Sequence, residues 1–450
     1  MFAKFSVRVK RTSSTSVFKS ALLLSGESKL YVCESIVERK ETPDEKKTES
    51  DLKPLYARSV VNSISGGMVN PFMGAYAVEL GASSSDMGWF QSSTNITNNL
   101  MQVFWGIMSD RSKRRVPFIV FGGLILSFLW VPMIFVTSAG QLIVLLAIQA
   151  LLGSMATPAW TALIGDLVPH LRLGKENASI NYWASIGGTV ATLVSGIFMI
   201  YVHGTIQQVL LVPLVVATIF GVASSLVMLK IKEKGTSARL DLKRNVTTDV
   251  FDILKSARKT PSFVRYCYAE GVFNFSMSIA WPLFAITQIR ILNASWLQIA
   301  LLSVVQTVIT IIFQGWAGRL ADTVGRKPLM VFFRFSLVTV PLAYALFPSV
   351  NSLIIVGVFW GFSQALGSAS ITAYLIDVSP EESRGSFTAV FNLIMGIVTF
   401  FGSLMGGYLS DYMTGLFGLV AGLQIVYFIS TVGRGIGAAM YLKLDETLRR

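Results

Sequence analysis

A short basic sequence occurs twice in this chain and limits what the chain can fold into. Residues 106–115 read GIMSDRSKRR and residues 318–327 read GRLADTVGRK, so the two copies start 212 positions apart. A second pair, Asp166 and Asp377, lies 211 positions apart. Repeats that recur in the same order at two places predict a chain built from two equivalent halves.

Long apolar stretches separate these motifs. Apolar residues make up 52% of the 450-residue chain and charged residues only 14%, whereas soluble proteins carry about 25% charged residues. Apolar stretches of roughly 20 residues suit helices that cross a bilayer core of about 30 Å. We therefore predict an all-α membrane protein with twelve transmembrane helices in two pseudo-symmetric six-helix bundles. The predicted spans are 57–78, 87–108, 116–137, 141–164, 178–201, 206–229, 263–288, 296–318, 328–347, 352–376, 386–410 and 416–442.

The spans divide the chain into four regions. Residues 1–56 are polar and contain no apolar core of a signal peptide, so we predict a disordered cytoplasmic tail. Their basic, Ser/Thr-rich start is also typical of a transit peptide. Residues 57–229 are predicted to form the N-terminal six-helix bundle, residues 230–262 a basic cytoplasmic loop with a short amphipathic helix, and residues 263–450 the C-terminal bundle.

The positive charge lies mostly in alternate loops. The net charge is +13, and cations occur in every predicted inner loop, whereas Arg290 is the one cation of the predicted outer loops. Because cytoplasmic loops carry an excess of Lys and Arg, we predict a multi-pass protein of the plasma membrane with both termini in the cytoplasm. This distribution argues against nucleic acid as a partner.

The repeated motif resembles the loop signature of the major facilitator superfamily. It reads Gly-x-x-x-Asp-Arg-x-x-Arg-Arg after span 2 and Gly-x-x-x-Asp-x-x-Gly-Arg-Lys after span 8, and the resemblance covers residues 57–443. It implies secondary active transport by alternating access between two halves. The chain departs from the signature in two places: Ser112–Lys113 replace the usual residue–Gly pair, and Arg172 is displaced by one position.

The same motif supplies a candidate gate. Glycine permits close helix approach, and we expect Arg114 and Arg326 to reach Asp166 and Asp377 at the inner ends of spans 4 and 10. The resemblance implies that these contacts hold a cytoplasmic gate and break as the halves move. The predicted gating residues are Gly106, Asp110, Arg111, Arg114, Asp166, Gly318, Asp322, Arg326, Asp377 and Arg384. The alternative is that the cations only fix the topology.

Polar side chains form stripes inside several spans. In span 2, for example, Gln91, Asn95 and Asn98 follow each other at helical spacing, and amides in hydrocarbon are costly unless they face protein or water. The resemblance implies that spans 1, 4, 7 and 10 line a central cavity. The predicted substrate-binding residues are Asn70, Gln91, Asn95, Gln149, Asn274, Trp281, Gln306, Trp360, Gln364 and Asn392. Each amide has the alternative of bonding a neighbouring helix, and each tryptophan that of filling the packing.

Glu270 is the only acid well inside a predicted span. It lies roughly 10 Å from the inner end of span 7, where it could carry the proton that couples transport to a gradient. The alternative is a structural ion pair with Arg265 or Arg434. We expect Arg334 and Arg434, on peripheral spans, to snorkel toward the membrane surface.

The predicted function is secondary active transport of a small organic solute, with the proton as candidate coupling ion. A sugar-like or other polar metabolite is favoured, because the predicted lining has amides and aromatic rings but no cation. Proton-driven efflux of drugs or amphipathic compounds is the alternative, and a non-transporting membrane sensor is a further one. The usual arginine of such exporters in span 4 is replaced by Gln149, and span 5 lacks their Gly-Pro pair.

Other classes of protein are not favoured by the sequence. An enzyme would need clustered His, Asp or Cys near one interface, and the chain has two Cys and two His, which form neither a disulfide framework nor a metal site. We predict no enzymatic activity and no cofactor. The expected partners are the small-molecule substrate, protons and membrane lipids, with the chain acting as a monomer.

Overall fold

The structure is a computed structural model that describes residues 43–112, 114–168, 172–231, 255–256, 258–380 and 384–447. The predicted amphipathic helix of the central loop lies outside the described residues. So do the predicted tail up to residue 42 and the side chains of Asp110 and Arg111.

Twelve helical segments make up the described part of the chain. They are α1 (43–79), α2 (Ser84–Ser112), α3 (Val116–Met133), α4 (Ala139–Leu167), α5 (Leu173–Tyr201), α6 (Ile206–Lys230), α7 (Pro261–Ile291), α8 (Trp296–Thr323), α9 (Arg326–Leu346), α10 (Val350–Val378), α11 (Arg384–Phe417) and α12 (Leu419–Tyr441). The predicted fold class, an all-α membrane protein of two six-helix bundles, is confirmed. Residues 43–56, which we assigned to the tail, are helical and belong to α1.

Ten of these segments are long and apolar enough to cross a membrane by length and composition. The two others are α1 and α2, because serine, asparagine, glutamine and threonine lower their mean hydropathy. Polar helices in a membrane protein face protein or water rather than lipid. Their composition therefore places α1 and α2 in the interior of the bundle.

Proline interrupts α1 and α7 at equivalent positions. Asn70–Phe72 and Trp281–Leu283 are single 3₁₀ turns within the two segments, as their prolines predict. Because Pro71 has no N–H, the carbonyl of Gly67 lacks its usual helical donor, and the hydroxyl of Thr192 on α5 donates to it at 2.8 Å. The break in α1 is thus stabilised by a side chain of a neighbouring helix.

The contact between α1 and α5 depends on a pair of glycines. A Cβ added to Gly67 would overlap the backbone carbonyl of Gly188, and one added to Gly188 would lie 3.2 Å from the carbonyl oxygen of Ser63. Small residues let membrane helices approach closely enough for backbone contact. These two glycines bring the polar faces of α1 and α5 together.

The two halves meet at one end of the bundle, which we call the sealed end. There the carboxylate of Asp411, on α11, accepts hydrogen bonds from the backbone N–H groups of Ser84 (3.0 Å) and Ser85 (2.9 Å) in the first turn of α2. Arg290, at the end of α7, donates to the carbonyl of Ala82 at 2.8 Å. The first-turn amides of a helix are natural partners for a carboxylate, so α11 of the second half caps α2 of the first.

The same two helices stay in contact toward the middle of the bundle. A Cβ added to Gly88 would lie 2.9 Å from the carbonyl oxygen of Ser403. The hydroxyl of Ser92 donates to the carbonyl of Phe400 at 2.8 Å. Small side chains therefore form the seal between α2 and α11.

Candidate functional site: a polar cavity between the halves

A cavity of about 470 Å³ lies between α1, α5 and α8. Both halves contribute to it, because α8 belongs to the second. Its volume falls within the range of about 300–1,000 Å³ that is typical of small-molecule sites. The lining residues are Asn62, Ser63, Gly66, Gly67, Asn70, Pro71, Asn181, Ala184, Ser185, Gly188, Thr189, Thr192, Ser303, Val304 and Thr307.

Helical spacing explains the polarity of this lining. Asn62, Gly66 and Asn70 lie one turn apart on a single face of α1, and Ser303 and Thr307 do so on α8. Of the whole lining, only Asn70 was among our predicted substrate residues. The other polar positions were visible as i, i+4 rows in the sequence, and the row on α5 runs through Asn181, Ser185 and Thr189.

The free polar groups of the cavity are mainly amides. The hydroxyls of Thr189 and Thr307 donate to carbonyls of their own helices. Asn62, Asn70 and Asn181 are exposed within the structure, and an amide side chain both donates and accepts hydrogen bonds. No acid or base lines the described cavity, so its chemistry suits hydroxyl, carbonyl and amide groups of a solute.

The predicted row of polar residues in span 2 lies on α2. Gln91 donates to Asn95 at 3.2 Å along the helix. By the repeat offset of 212, these two residues correspond to Ser303 and Thr307, which line the cavity. Their position on α2 is therefore the pseudo-symmetric counterpart of a lining position.

Two of the predicted substrate residues, Asn274 and Trp281, lie on α7. The Asn274 amide donates to the backbone carbonyl of Glu270 at 2.8 Å and contacts the sulfur of Met395 on α11. Trp281 is 50% exposed and is the equivalent of Asn70, since each precedes the proline of its helix break.

Other predicted substrate residues lie away from the described cavity. Gln149 is buried and donates to the carbonyl of Leu126 on α3 at 3.1 Å. The indole of Trp360 donates to the hydroxyl of Thr339 on α9 at 3.1 Å. These two side chains join neighbouring helices within one half. Gln306 packs against Gly357 of α10; Gln364 and Asn392 are exposed but do not line the cavity.

Glu270 has a partner that the sequence analysis did not anticipate. Its carboxylate forms a buried ion pair with Arg334 of α9, and not with Arg265 or Arg434. The prediction that Arg334 snorkels is wrong, because the residue is 4% exposed and its guanidinium lies 4.5 Å from the ring centroid of Phe273. The second carboxylate oxygen of Glu270 is buried without a hydrogen-bond partner.

Arg434 does not snorkel either, since it is 2% exposed. It donates to the carbonyl of Leu337 on α9 at 2.9 Å and to that of Met277 on α7 at 3.2 Å. Backbone carbonyls stabilise a buried cation when no carboxylate is near. Arg434 thus ties α12 to two neighbouring helices.

The end of the bundle opposite the seal contains the residues that were predicted to form the gate, and we call it the open end. Arg326 and Asp377 form an ion pair there within the second half. In the first half Asp166 pairs with Arg115, at 2.9 Å, and not with Arg114 as expected. The hydroxyl of Ser112 bonds both the N–H and the carbonyl of Arg114. This turn points the next residue, Arg115, toward α4.

The C-terminal segment completes the open end of the second half. The carboxylate of Glu446 accepts hydrogen bonds from the backbone N–H groups of Arg326 and Lys327, both at 3.0 Å. The hydroxyl of Thr447 donates to Asp377 at 2.7 Å. Glu446 therefore caps the start of α9 from a distant part of the chain.

Comparison with known proteins places this architecture in a family. Residues 56–275 and 266–449 each match the sequence model of the Major Facilitator Superfamily. The chain belongs to the major facilitator superfamily of membrane transporters. Both matches together cover all twelve segments except the first residues of α1.

Individual relatives agree with this assignment. The chain is 24% identical over 383 residues to the uncharacterized MFS-type transporter MJ1317 of Methanocaldococcus jannaschii, covering 82% of this chain and 92% of that protein. A mutant of the nucleoside transporter NupG superposes with a TM-score of 0.70 at 15% identity, over 87% of this chain and 98% of that one. A D-xylose-proton symporter superposes with a TM-score of 0.67 at 14% identity, over 91% and 99%. At these identities the solved structures share the fold.

Proposed function

We propose that this protein is a secondary active transporter that moves a small polar organic solute by alternating access. The supporting observation is a polar cavity between two halves that are joined at the sealed end. A solute that enters from the open end would meet Asn62, Asn70 and Asn181. Bonding to these amides would replace its hydrogen bonds to water.

The polarity of the cavity favours a solute with several hydroxyl or carbonyl groups over an amphipathic drug. Exporters of amphipathic compounds need large apolar and aromatic walls, whereas this lining is dominated by Asn, Ser, Thr and Gly. The fold relatives include a nucleoside transporter and a D-xylose-proton symporter. Both substrates named there are of the class we propose.

In the transport cycle, the contacts that close one end of the bundle would break while contacts between the halves form at the other end. In the described state the bonds of Asp411 and Arg290 hold the sealed end closed, and the ion pairs of Asp166 and Asp377 remain within their own halves. Opening the sealed end would bring the gating motifs of the two halves together. The charge distribution of the loops favours a cytoplasmic open end and a plasma-membrane location.

We assign proton coupling to the buried pair of Glu270 and Arg334. Glu270 is the only buried acid of the described residues, and its unpartnered oxygen offers a place for a proton. A proton there would neutralise the ion pair and leave Arg334 uncompensated. The Asn274 amide donates to the backbone carbonyl of Glu270. A change in the charge of Glu270 would therefore occur one helical turn from Asn274, a predicted substrate residue.

The experiment that tests transport is flux into proteoliposomes with radiolabelled polar solutes, with and without a pH gradient. We expect saturable exchange of at least one solute and collapse of its accumulation by a protonophore. Binding without flux of any solute would support the sensor alternative and contradict transport. Efflux of amphipathic dyes together with no flux of polar solutes would support the exporter alternative.

A Glu270→Gln variant separates coupling from structure. If Glu270 carries the proton, the variant keeps solute exchange at equal pH but loses gradient-driven accumulation. Loss of both activities, in a variant that still folds, would assign Glu270 to structure alone. Exposed Glu79 provides the matched control, because Glu79→Gln should leave both activities unchanged.

A further inference from the structure

A second cavity, of about 590 Å³, is a groove between α7 and α11 in the second half. Its described lining comes from these two helices and from the segment just before α7, so the groove is separate from the polar cavity between the halves. The walls are mostly apolar and include Phe263, Val264 and Phe275 on α7 and Val390, Ile394 and Val398 on α11. Such walls do not suit the polar solute that we propose for the other cavity.

Helical geometry determines the direction in which the groove opens. On α11, Gly396 faces α2, because a Cβ added to it would lie 2.9 Å from the Cβ of Asn99. Ile394 and Val398 are each two positions from Gly396, which corresponds to a rotation of about 200° around a helix. Tyr268, which lines the groove on α7, is 67% exposed. The groove therefore opens away from the first half, toward the lipid.

A glycine gives the groove its depth. A Cβ added to Gly271 would meet only the flexible end of Met395, at 4.0 Å. Along α7 the groove extends from Phe263 to Ser276, which is roughly 20 Å at the helical rise per residue. One leaflet of the hydrocarbon core is about 15 Å thick, half of the whole core. The groove is thus long enough for an acyl chain that lies in one leaflet.

A cation lies at one end of this groove. Arg258 precedes the first residue of α7 by three positions, is exposed and lines the groove at the open end of the bundle. No described carboxylate forms an ion pair with it. The neighbouring Lys259 is also exposed but is not part of the lining. An apolar groove that ends at a cation matches a ligand with an apolar chain and an anionic head.

We propose that this groove binds one anionic phospholipid. Its phosphate pairs with Arg258, and one acyl chain occupies the space beside Gly271. The guanidinium can donate two parallel hydrogen bonds to phosphate oxygens. The charges of the loops favour a cytoplasmic open end, and the cytoplasmic leaflet is the one that carries anionic lipids. This site goes beyond the proposed transport and does not depend on it.

The test is lipid binding to the delipidated, full-length protein in detergent, measured by native mass spectrometry. Phosphatidylglycerol and phosphatidylcholine with identical acyl chains are titrated, and the dissociation constant of the first bound lipid is determined for each. We expect phosphatidylglycerol to bind about fivefold more tightly, which is the effect of one basic residue near an anionic lipid. Glycerol 3-phosphate carries the charge without the chains and should not compete at equal concentration.

Variants separate the site from a general attraction of the basic segment. Arg258→Gln should remove the preference for phosphatidylglycerol, and folding should tolerate it because Arg258 is exposed. Lys259→Gln is the matched control and should keep the preference. Gly271→Leu fills the groove, so it should weaken binding of both lipids several-fold. Gly435→Leu on α12 is its control, because nothing lies within 4 Å of an added Cβ there and Gly435 does not line the groove.

If Gly271→Leu does not fold, phosphatidylglycerol with a diazirine in its acyl chain locates the chain on the native protein. We expect its cross-links within residues 263–276 and 390–398. Cross-links confined to other helices would overturn the assignment of the groove.

Equal affinity of the native protein for the two lipids would overturn the site. So would an equal loss of preference in Arg258→Gln and Lys259→Gln, which would assign the effect to diffuse charge. These outcomes are distinct from failure of the transport proposal. Flux of a polar solute in a protein without lipid preference would contradict this site alone, and an Arg258-dependent preference without any flux would contradict transport alone.

Discussion

The guanidinium of Arg434 donates at 2.9 Å to the carbonyl of Leu337, the residue four positions before Pro341. In a regular helix that carbonyl accepts from the N–H of residue 341, which proline lacks. A buried arginine on α12 therefore replaces the bond that the proline removes from α9. The pairing parallels that of Thr192 with the Gly67 carbonyl at the break of α1.

This relationship predicts that the effects of Arg434 and Pro341 are coupled. We expect Arg434→Met to lower the free energy of unfolding by roughly 2–4 kcal/mol, since it leaves buried carbonyls without donors. In a Pro341→Ala background the loss should be about 1 kcal/mol smaller, because the substituted alanine supplies the missing backbone N–H. Thermal unfolding of the native protein, the two single variants and the double variant measures this difference. Strictly additive effects of the two substitutions would contradict the prediction.

The seal between the halves predicts a conformational effect of Asp411. Asp411→Ala removes the shared cap of Ser84 and Ser85, so the sealed end should open more often. In a background with Cys33 and Cys267 replaced, a single cysteine at Ser92, which is fully buried between α2 and α11, should react with a water-soluble maleimide several-fold faster in this variant. Glu79→Ala, which removes an exposed acid of the same loop region, should leave the rate unchanged. An unaltered rate in Asp411→Ala would show that apolar packing alone maintains the seal.

The close approach of α1 and α5 predicts a severe effect of a single methyl group. Gly67→Ala places a Cβ against the carbonyl of Gly188, so we expect loss of folded protein or a fall in unfolding free energy of roughly 2 kcal/mol or more. Gly165→Ala is the control, since nothing lies within 4 Å of its added Cβ. Size-exclusion profiles and unfolding midpoints are measured for both variants. Equal midpoints of Gly67→Ala and Gly165→Ala would contradict the prediction.

The C-terminal cap predicts that a short truncation destabilises the second half. Ending the chain after Asp445 removes Glu446 and Thr447, and with them the cap of α9 and a partner of Asp377. We expect a loss of about 1–2 kcal/mol in unfolding free energy. Ending it after Thr447 keeps both contacts and is the control. Equal stability of the two truncated proteins would show that the cap contributes nothing.

The sequence predicts the architecture well because membrane folds leave clear patterns. The apolar spans, the repeated motif and the prolines of α1 and α7 are all local signals. They recover twelve segments, two halves and two helix breaks. The start of α1 was placed too late, because Pro43–Tyr56 is polar and carries no span signal.

The site was less predictable, because it depends on which helix each polar face meets. Gln149 and Trp360 have the residue types of substrate contacts, yet their donors are used by neighbouring helices. Arg334 had the position of a snorkelling cation, but its partner Glu270 is 64 positions away.

The composition of the sealed end has a consequence for the energetics of transport. Its polar contacts are made by serine, aspartate, arginine and backbone groups, whose hydrogen bonds water can replace when the halves separate. When water replaces a protein group as the hydrogen-bond partner, the free energy of the protein changes by only about 1 kcal/mol per bond. In the proposed cycle the two conformations can therefore be similar in energy, and a solute that binds them with modestly different affinity would be enough to change which one predominates.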